Sequence, residues 1–142
     1  MLFPVAGCRF FIADTPSVMP TGGWVEIGET EAFGMLGGRY ELEDGHVMGP
    51  EDYFAHKGVH RPTTMQILLG IDMTDPGQLL LFKAYNTRAP FPFRLLFPDG
   101  ETERRWLALV MSFDEVFDAA NNVMRMQAEL HPVAAIQRVS HA

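Results

Sequence analysis

Residues 65–71 alternate strictly: Thr63, Met65, Ile67, Leu69 and Ile71 share one parity, and Thr64, Gln66, Leu68 and Gly70 the other. Side chains of a strand point to opposite faces with a period of two, so this pattern describes a strand with one face on a core. The same period returns in 91–97 and 103–113, joined by Pro98-Asp99-Gly100, where a Pro and a Gly suit the corners of a tight turn. In the second of these, Trp106, Ala108 and Val110 share a face while Arg105, Leu107, Leu109 and Met111 take the other. Apolar residues on both faces predict a strand covered on both sides. A chain dominated by such segments must stack sheet on sheet.

One helix interrupts the strands. Asp75 is a good N-cap, Pro76 suits the first helical position, and Gln78 stands where a capping box wants its amide, which predicts a helix over about 76–86. Leu79, Leu80, Phe82 and Tyr85 are its expected docking residues and Asn86 its stop. Earlier in the chain, 10–13 and 24–27 read as short strands, with a further strand near Phe33. The first belongs to an N-terminal arm, 1–22, and the tail 133–142 is weakly patterned and expected to extend as a second arm.

Residues 35–61 hold five glycines, with Gly34 just before them, and no sustained period. A structureless stretch of that length inside a compact domain is uncommon and usually functional. Alternatively, 40–42 and 47–48 pair as a hairpin around Asp44-Gly45, a dipeptide suited to a primed turn. Either way this projection is the expected contact element. Residues 114–130 fit two patterns. Ser112 with Glu115 and apolar residues at helical spacing favour a helix, whereas 123–130 alternates cleanly and Asn121-Asn122 is a natural turn.

At 142 residues the chain is one domain, 47% hydrophobic and 20% charged, as an ordinary globule is. The formal charge of −7 argues against a nucleic-acid clamp, which needs a basic stripe to displace counterions from phosphate. It suits instead a surface that nucleic acid passes without sticking. Eight acidic residues against the single base Arg39 fall within 24–56. Cys8 is the only cysteine, so no intrachain disulfide forms. The residues Val5-Ala6-Gly7-Cys8 mimic a lipoprotein box, but the apolar stretch before them is too short for a signal peptide. No apolar run approaches the roughly 20 residues of a membrane-spanning helix.

Catalytic patterns are not found. His46, His56 and His60 with Glu51 and Asp52 form the one cluster resembling metal ligands, yet Gly58 and Pro62 oppose the helix that would align His56 with His60, and no metal is expected. Neither Ser17, Ser112 nor Ser140 sits in a nucleophile elbow, Cys8 has only Arg9 beside it, and Gly34, Gly37 and Gly38 precede no helix that would receive a phosphate. The reading is a protein without catalytic residues or cofactor. Its runner-up is a monomeric ligand-binding module or small hydrolase that uses 35–61 as a lid over His46, His56 and Asp52.

The strand 24–28, the long loop after it, 65–71 with the Asp75-Pro76 helix, 93–100, 106–112 and a closing strand at 123–130 together resemble the major tail tube proteins of long-tailed, lambda-like bacteriophages. The resemblance covers about residues 22–133. It implies a mainly β fold, a two-sheet sandwich or barrel with one flanking helix and a protruding loop or hairpin, and it favours the strand over 123–130. It also implies hexameric rings stacking into a tube through which DNA passes, a place in the virion tail after synthesis in the host cytoplasm, and tape-measure, tail terminator and baseplate proteins as partners. A ring that caps the tube without stacking is the nearest alternative. On this basis the expected inter-subunit contacts are Met35, Arg39, Tyr40, Val47, Met48, Tyr53, Phe54, His56 and His60. The expected lumen-facing polar residues are Gln66, Glu103, Arg105, Arg125, Gln127 and Glu129.

Overall fold

The computed structural model describes residues 2–46, 53–117, 120 and 123–140. Ten strands and one helix follow in the order β1 (Arg9–Ile12), β2 (Val25–Ile27), β3 (Thr30–Ala32), β4 (Gly38–His46), β5 (Tyr53–Pro62), β6 (Met65–Gly70), α1 (Pro76–Tyr85), β7 (Phe91–Leu96), β8 (Glu103–Val116), β9 (Arg125–Pro132) and β10 (Gln137–Val139). Eight of the strands form one antiparallel sheet in the order β2-β1-β7-β8-β9-β6-β3, with β10 also on β8, and β4 and β5 pair only with each other.

The long strand β8 turns this sheet into a sandwich. Its first part, Glu103 to Ala108, lies beside β7, and its second part, Ala108 to Val116, lies beside β9 with a bulge between Val110 and Ser112. A bulge bends and twists the strand that carries it. Two half-sheets result, β2-β1-β7-β8-β10 and β3-β6-β9-β8, sharing β8. Phe10, Ile12, Phe93 and Trp106 from the first and Met65, Ile67, Leu69, Ala128 and Leu130 from the second close into one core. Phe10, Phe93 and Trp106 stack with ring centroids 5.6 to 6.1 Å apart.

The alternation in 65–71 places Met65, Ile67 and Leu69 in the core as read, and 123–130 is the strand rather than the helix, with Met126, Ala128 and Leu130 inward. Four expectations change. The segment 1–22 is not a free arm, because β1 is an interior strand between β2 and β7 and buries Phe10 and Ile12 completely. The tail likewise supplies β10, paired with β8. Asp44 and Gly45 are no turn; they sit within β4 opposite Ala55 and Phe54. The outer face of Trp106 to Met111 is not covered, since Leu107 and Leu109 are half-exposed and Met111 is 59% exposed.

The helix starts as its cap predicts, Asp75 accepting the N–H of Gln78 at 2.9 Å, but docks on another face. Gly77, Gln78, Leu81 and Ala84 are buried, whereas Leu79, Phe82 and Tyr85 are exposed and Leu80 is half-buried. The cause is Gly77. A Cβ there would lie 2.2 Å from the carbonyl oxygen of Glu26, so only glycine lets the first turn rest on the backbone of β2. That contact sets the rotation, and the i, i+4, i+7 series from Gly77 becomes the inner stripe. Gln78 forms no reciprocal capping box. Its amide nitrogen donates to the carbonyls of Gly28 (3.1 Å) and Gly70 (2.8 Å), and its oxygen accepts the N–H of Asp72 (3.0 Å), tying the helix to two connections of the sheet.

Candidate assembly surfaces

The hairpin β4-β5 leaves the body as an arm. With nine and ten residues in its strands, it spans roughly 30 Å at about 3.3 Å per residue. A bulge near Tyr40 and Leu42 sorts its side chains into two unlike faces. One carries Tyr40, Leu42, Asp44, His46, Tyr53, Lys57 and His60, with Tyr40 against His60 (4.9 Å), Lys57 over the Tyr40 ring (4.8 Å) and His46 against Tyr53 (5.3 Å). The other is charged: Arg61 pairs with Glu41, and His56 with Glu43 at 2.9 Å, while Phe54 stacks on His56. Partial loss of hydration against the hairpin, then the Asp44 carboxylate, raise the Tyr53 hydroxyl above its ordinary range. Of the expected contact residues, Arg39, Tyr40, Tyr53, Phe54, His56 and His60 all lie exposed on this arm. Met35 lies before its root, 73% exposed, and Val47 and Met48 fall outside the described residues.

The cross-strand ladder of the second half-sheet brings four expected polar residues onto one outward face. Gln66 stands beside Glu129 and Ser112; Leu68 beside Gln127 and Asp114; Gly70 beside Arg125 and Val116. Arg125 reaches Glu31 at 2.8 Å, and the Ser112 hydroxyl accepts the N–H of Glu129 at 3.1 Å. This face is wet, hydrogen-bonding and mildly acidic.

Glu103 and Arg105 do not belong to it. They lie on the outer face of the first half-sheet, and Glu103 is fully buried, so the expectation that it faces water is corrected. Its carboxylate is held by Arg94 on one side and Arg105 on the other. The two guanidiniums in turn rest on rings, Arg94 over Phe11 (5.0 Å) and Arg105 over Trp24 (6.0 Å). Neighbouring Arg9 hydrogen-bonds Glu26 at 2.7 Å, which holds that carboxyl below its ordinary range and raises the guanidinium. Arg104, packed over Phe97, is pushed down by burial first and by Arg138 opposite it second.

The two half-sheets also end differently. The first closes on two three-residue strands, β2 and β10. The second closes on the equally short β3 at one border, but has a longer unpaired edge at the other. From Leu109 to Val116 the side of β8 that faced β7 meets no further strand among the described residues, and at the opposite border β3 is terminal. Unpaired strand edges are templates for another chain. Nothing in the sequence marks this edge except the length of β8, fourteen residues against the six of β7.

Among the described residues no group of three or more His, Cys, Asp or Glu converges as metal ligands. His46 and His56 lie on opposite faces of the arm, so the cluster expected under a lid does not form, and Asp52 lies outside the described residues. His60 does line an open cleft of about 650 Å³ at the arm root with Tyr40, Pro62 and His131. Burial raises the Cys8 thiol, which disfavours the nucleophilic thiolate. Among the described residues, no helix is long and apolar enough to cross a membrane.

No protein-family model and no curated protein matches the chain. Solved structures do match its fold. The tail tube of SPP1 superposes with a TM-score of 0.73 at 13% identity, over 99% of this chain and 80% of that one. The sheath/tube terminator of an extracellular contractile injection system gives 0.70 at 13% identity over 96% and 97% of the two chains. The tail of an empty GTA particle, refined helically with C6 symmetry, gives 0.70 at 11% identity over 96% and 98%. The chain has the fold of phage tail tube proteins across nearly its whole length.

Proposed function

We propose that this protein is a structural, non-enzymatic subunit of a phage-type tail, six copies of which close into a ring that stacks into the tail tube. The observation that carries the reading is the pair of open borders on one half-sheet. Strands β3, β6, β9 and β8 alternate in direction, so β3 of a second copy in the same orientation runs antiparallel to β8 and extends the sheet. A head-to-tail contact of this kind closes when its rotation permits, and six-fold symmetry in structural neighbours supports that count.

The outward face of the closed sheet then lines the bore. Gln66, Arg125, Gln127 and Glu129 supply its polar surface, with Asp114 and Glu31 adding acid. DNA of like charge is not retained on such a wall, because repulsion acts across a Debye length of about 8 Å at physiological salt. The arm, with its aromatic and charged faces both exposed, reaches the neighbouring ring. Tape-measure, terminator and baseplate proteins are the partners this role requires, and the virion tail its location.

Terminators share the fold, and a ring that caps a tube is the second reading, supported by the match to a tube terminator over 97% of that chain. Electron microscopy of purified protein separates the outcomes. Tubes support the first reading, rings that never stack support the second, and a monomer of about 16 kDa at high concentration rejects both. Removing residues 38–62 should leave rings and abolish tubes; normal tubes would reject the role given to the arm.

A further inference from the structure

Resting on that ring reading, we propose that Met35 is the knob of the inter-subunit joint, seated in a cleft of the next copy formed by Tyr85, Leu109 and Met111. Three observations converge on it. The first is Met35 itself, a large apolar side chain 73% exposed just beyond the open β3 border. Its thioether has three rotatable bonds and makes favourable contacts with aromatic rings, which suits an adaptable plug.

The second is the receptor. A cleft of about 270 Å³ opens between the end of α1 and the unpaired edge of β8, lined by Tyr85, Thr87, Arg88, Leu109, Val110 and Met111. It begins where β7 leaves β8, so the absence of a neighbouring strand creates it. Among the described residues no strand of the same protomer fills that position, and Met111 is left 59% exposed at its rim.

The third is level. Val110 pairs with Leu130, and Leu130 with Met65. Gly34 lies against the next residue of β6, where a Cβ would come within 2.8 Å of the Gln66 carbonyl oxygen. Met35 therefore stands on the row that runs through Met65 and Leu130 to Val110. When β3 of one copy is laid antiparallel along β8 of another with the rows kept level, Met35 arrives at Val110, in front of the cleft. The occupant is thus a second copy of this chain, and the knob and cleft fix which residue of one edge meets which residue of the other.

The test uses the full chain with Cys8→Ser as background. Met35→Cys combined with Met111→Cys should form disulfide-linked multimers under mild oxidation, up to the full ring; a cross-link that forms instead between Met35→Cys and Glu115→Cys overturns the level register. In the native background, Met35→Asp should raise the concentration for assembly at least tenfold with the protomer's melting temperature unchanged, while Met35→Leu assembles near the native concentration. Native protein forming rings alongside a Met35→Asp variant that assembles equally well overturns the knob and leaves the ring reading standing. Native protein that forms no ring overturns the ring reading itself.

Discussion

The two outer faces of the sandwich use ionic residues in opposite ways. On the first half-sheet, Arg94, Glu103 and Arg105 are packed together against Phe11 and Trp24, and both borders are three-residue strands. On the second, Arg125, Glu129 and Asp114 reach water and one border is the long edge of β8 from Leu109 to Val116, which no strand among the described residues covers. A buried charge must be held by its own chain, because desolvation makes it costly without a partner. An exposed face with unpaired edges has no such requirement and remains available to other copies. On the proposed ring reading, the first half serves the protomer and the second the assembly.

That contrast is broken most directly at Glu103. Glu103→Ala leaves two guanidiniums facing each other without the carboxylate, at a cost of about 3–5 kcal/mol, so calorimetry should show a fall in melting temperature of roughly 10 °C. Replacing Arg94, Glu103 and Arg105 together with apolar residues of similar volume should recover most of this loss and leave assembly intact. Next in size is Gly77→Ala. The added methyl strikes the Glu26 carbonyl and lifts the helix at about 1–3 kcal/mol, as overpacking does. The equivalent ion-pair test on the open face, Arg125→Ala, should cost the protomer under about 1 kcal/mol, because its pair with Glu31 is solvated. A loss as large as that of Glu103→Ala would erase the distinction between the halves.

Salt sharpens the comparison from the other side. Glu29, Glu31, Asp114, Glu115 and Glu129 sit on the second half-sheet or its borders against Arg125 and the Arg88 of the β8 cleft, so copies meeting there repel. Raising ionic strength should promote assembly, followed by light scattering, while leaving the protomer's melting temperature nearly unchanged. The smallest effect is an acid one. Backbone N–H groups of Thr102 and Glu101 hold the Asp99 carboxyl below its ordinary 3.8, and the Thr74 hydroxyl does the same for Asp72. Both groups are depressed in the folded state, so their contribution is present above about pH 4 and is lost as pH falls through the lower folded values. Asp99→Ala should flatten part of that acid limb in melting temperature against pH.

Much of the fold was legible because period-two patterns survive in the strands that carry the core. Met65, Ile67 and Leu69 announce their face without help from tertiary structure, whereas Trp106, Ala108 and Val110 share a parity whose opposite is also apolar, which hid that only one face of β8 is covered. The helix cap was equally local, since Asp75 and Gln78 need only each other. The helix face was not, because it depends on Gly77 meeting the Glu26 backbone, a contact between distant residues. Gln66, Arg125, Gln127 and Glu129 converge because alternation survives register. Glu103 obeys the same alternation, but its burial is decided by Arg94 and Arg105 on either side, which no single strand reveals. The open edge of β8 is a property of what its neighbours fail to reach, and a sequence does not state where β7 stops.

The bulge near Met111 has its own consequence. Ahead of it, even-numbered residues of β8 enter the core; beyond it, Phe113 turns inward and Ser112 and Asp114 turn out. One inserted residue thus acts as a phase shift, keeping a carboxylate out of the interior and delivering an aromatic to it. Were Met111 to take a regular pairing place opposite Glu129, insides and outsides would exchange from Ser112 onward, so the chemistry of an entire wall hangs on one residue being left out of the count.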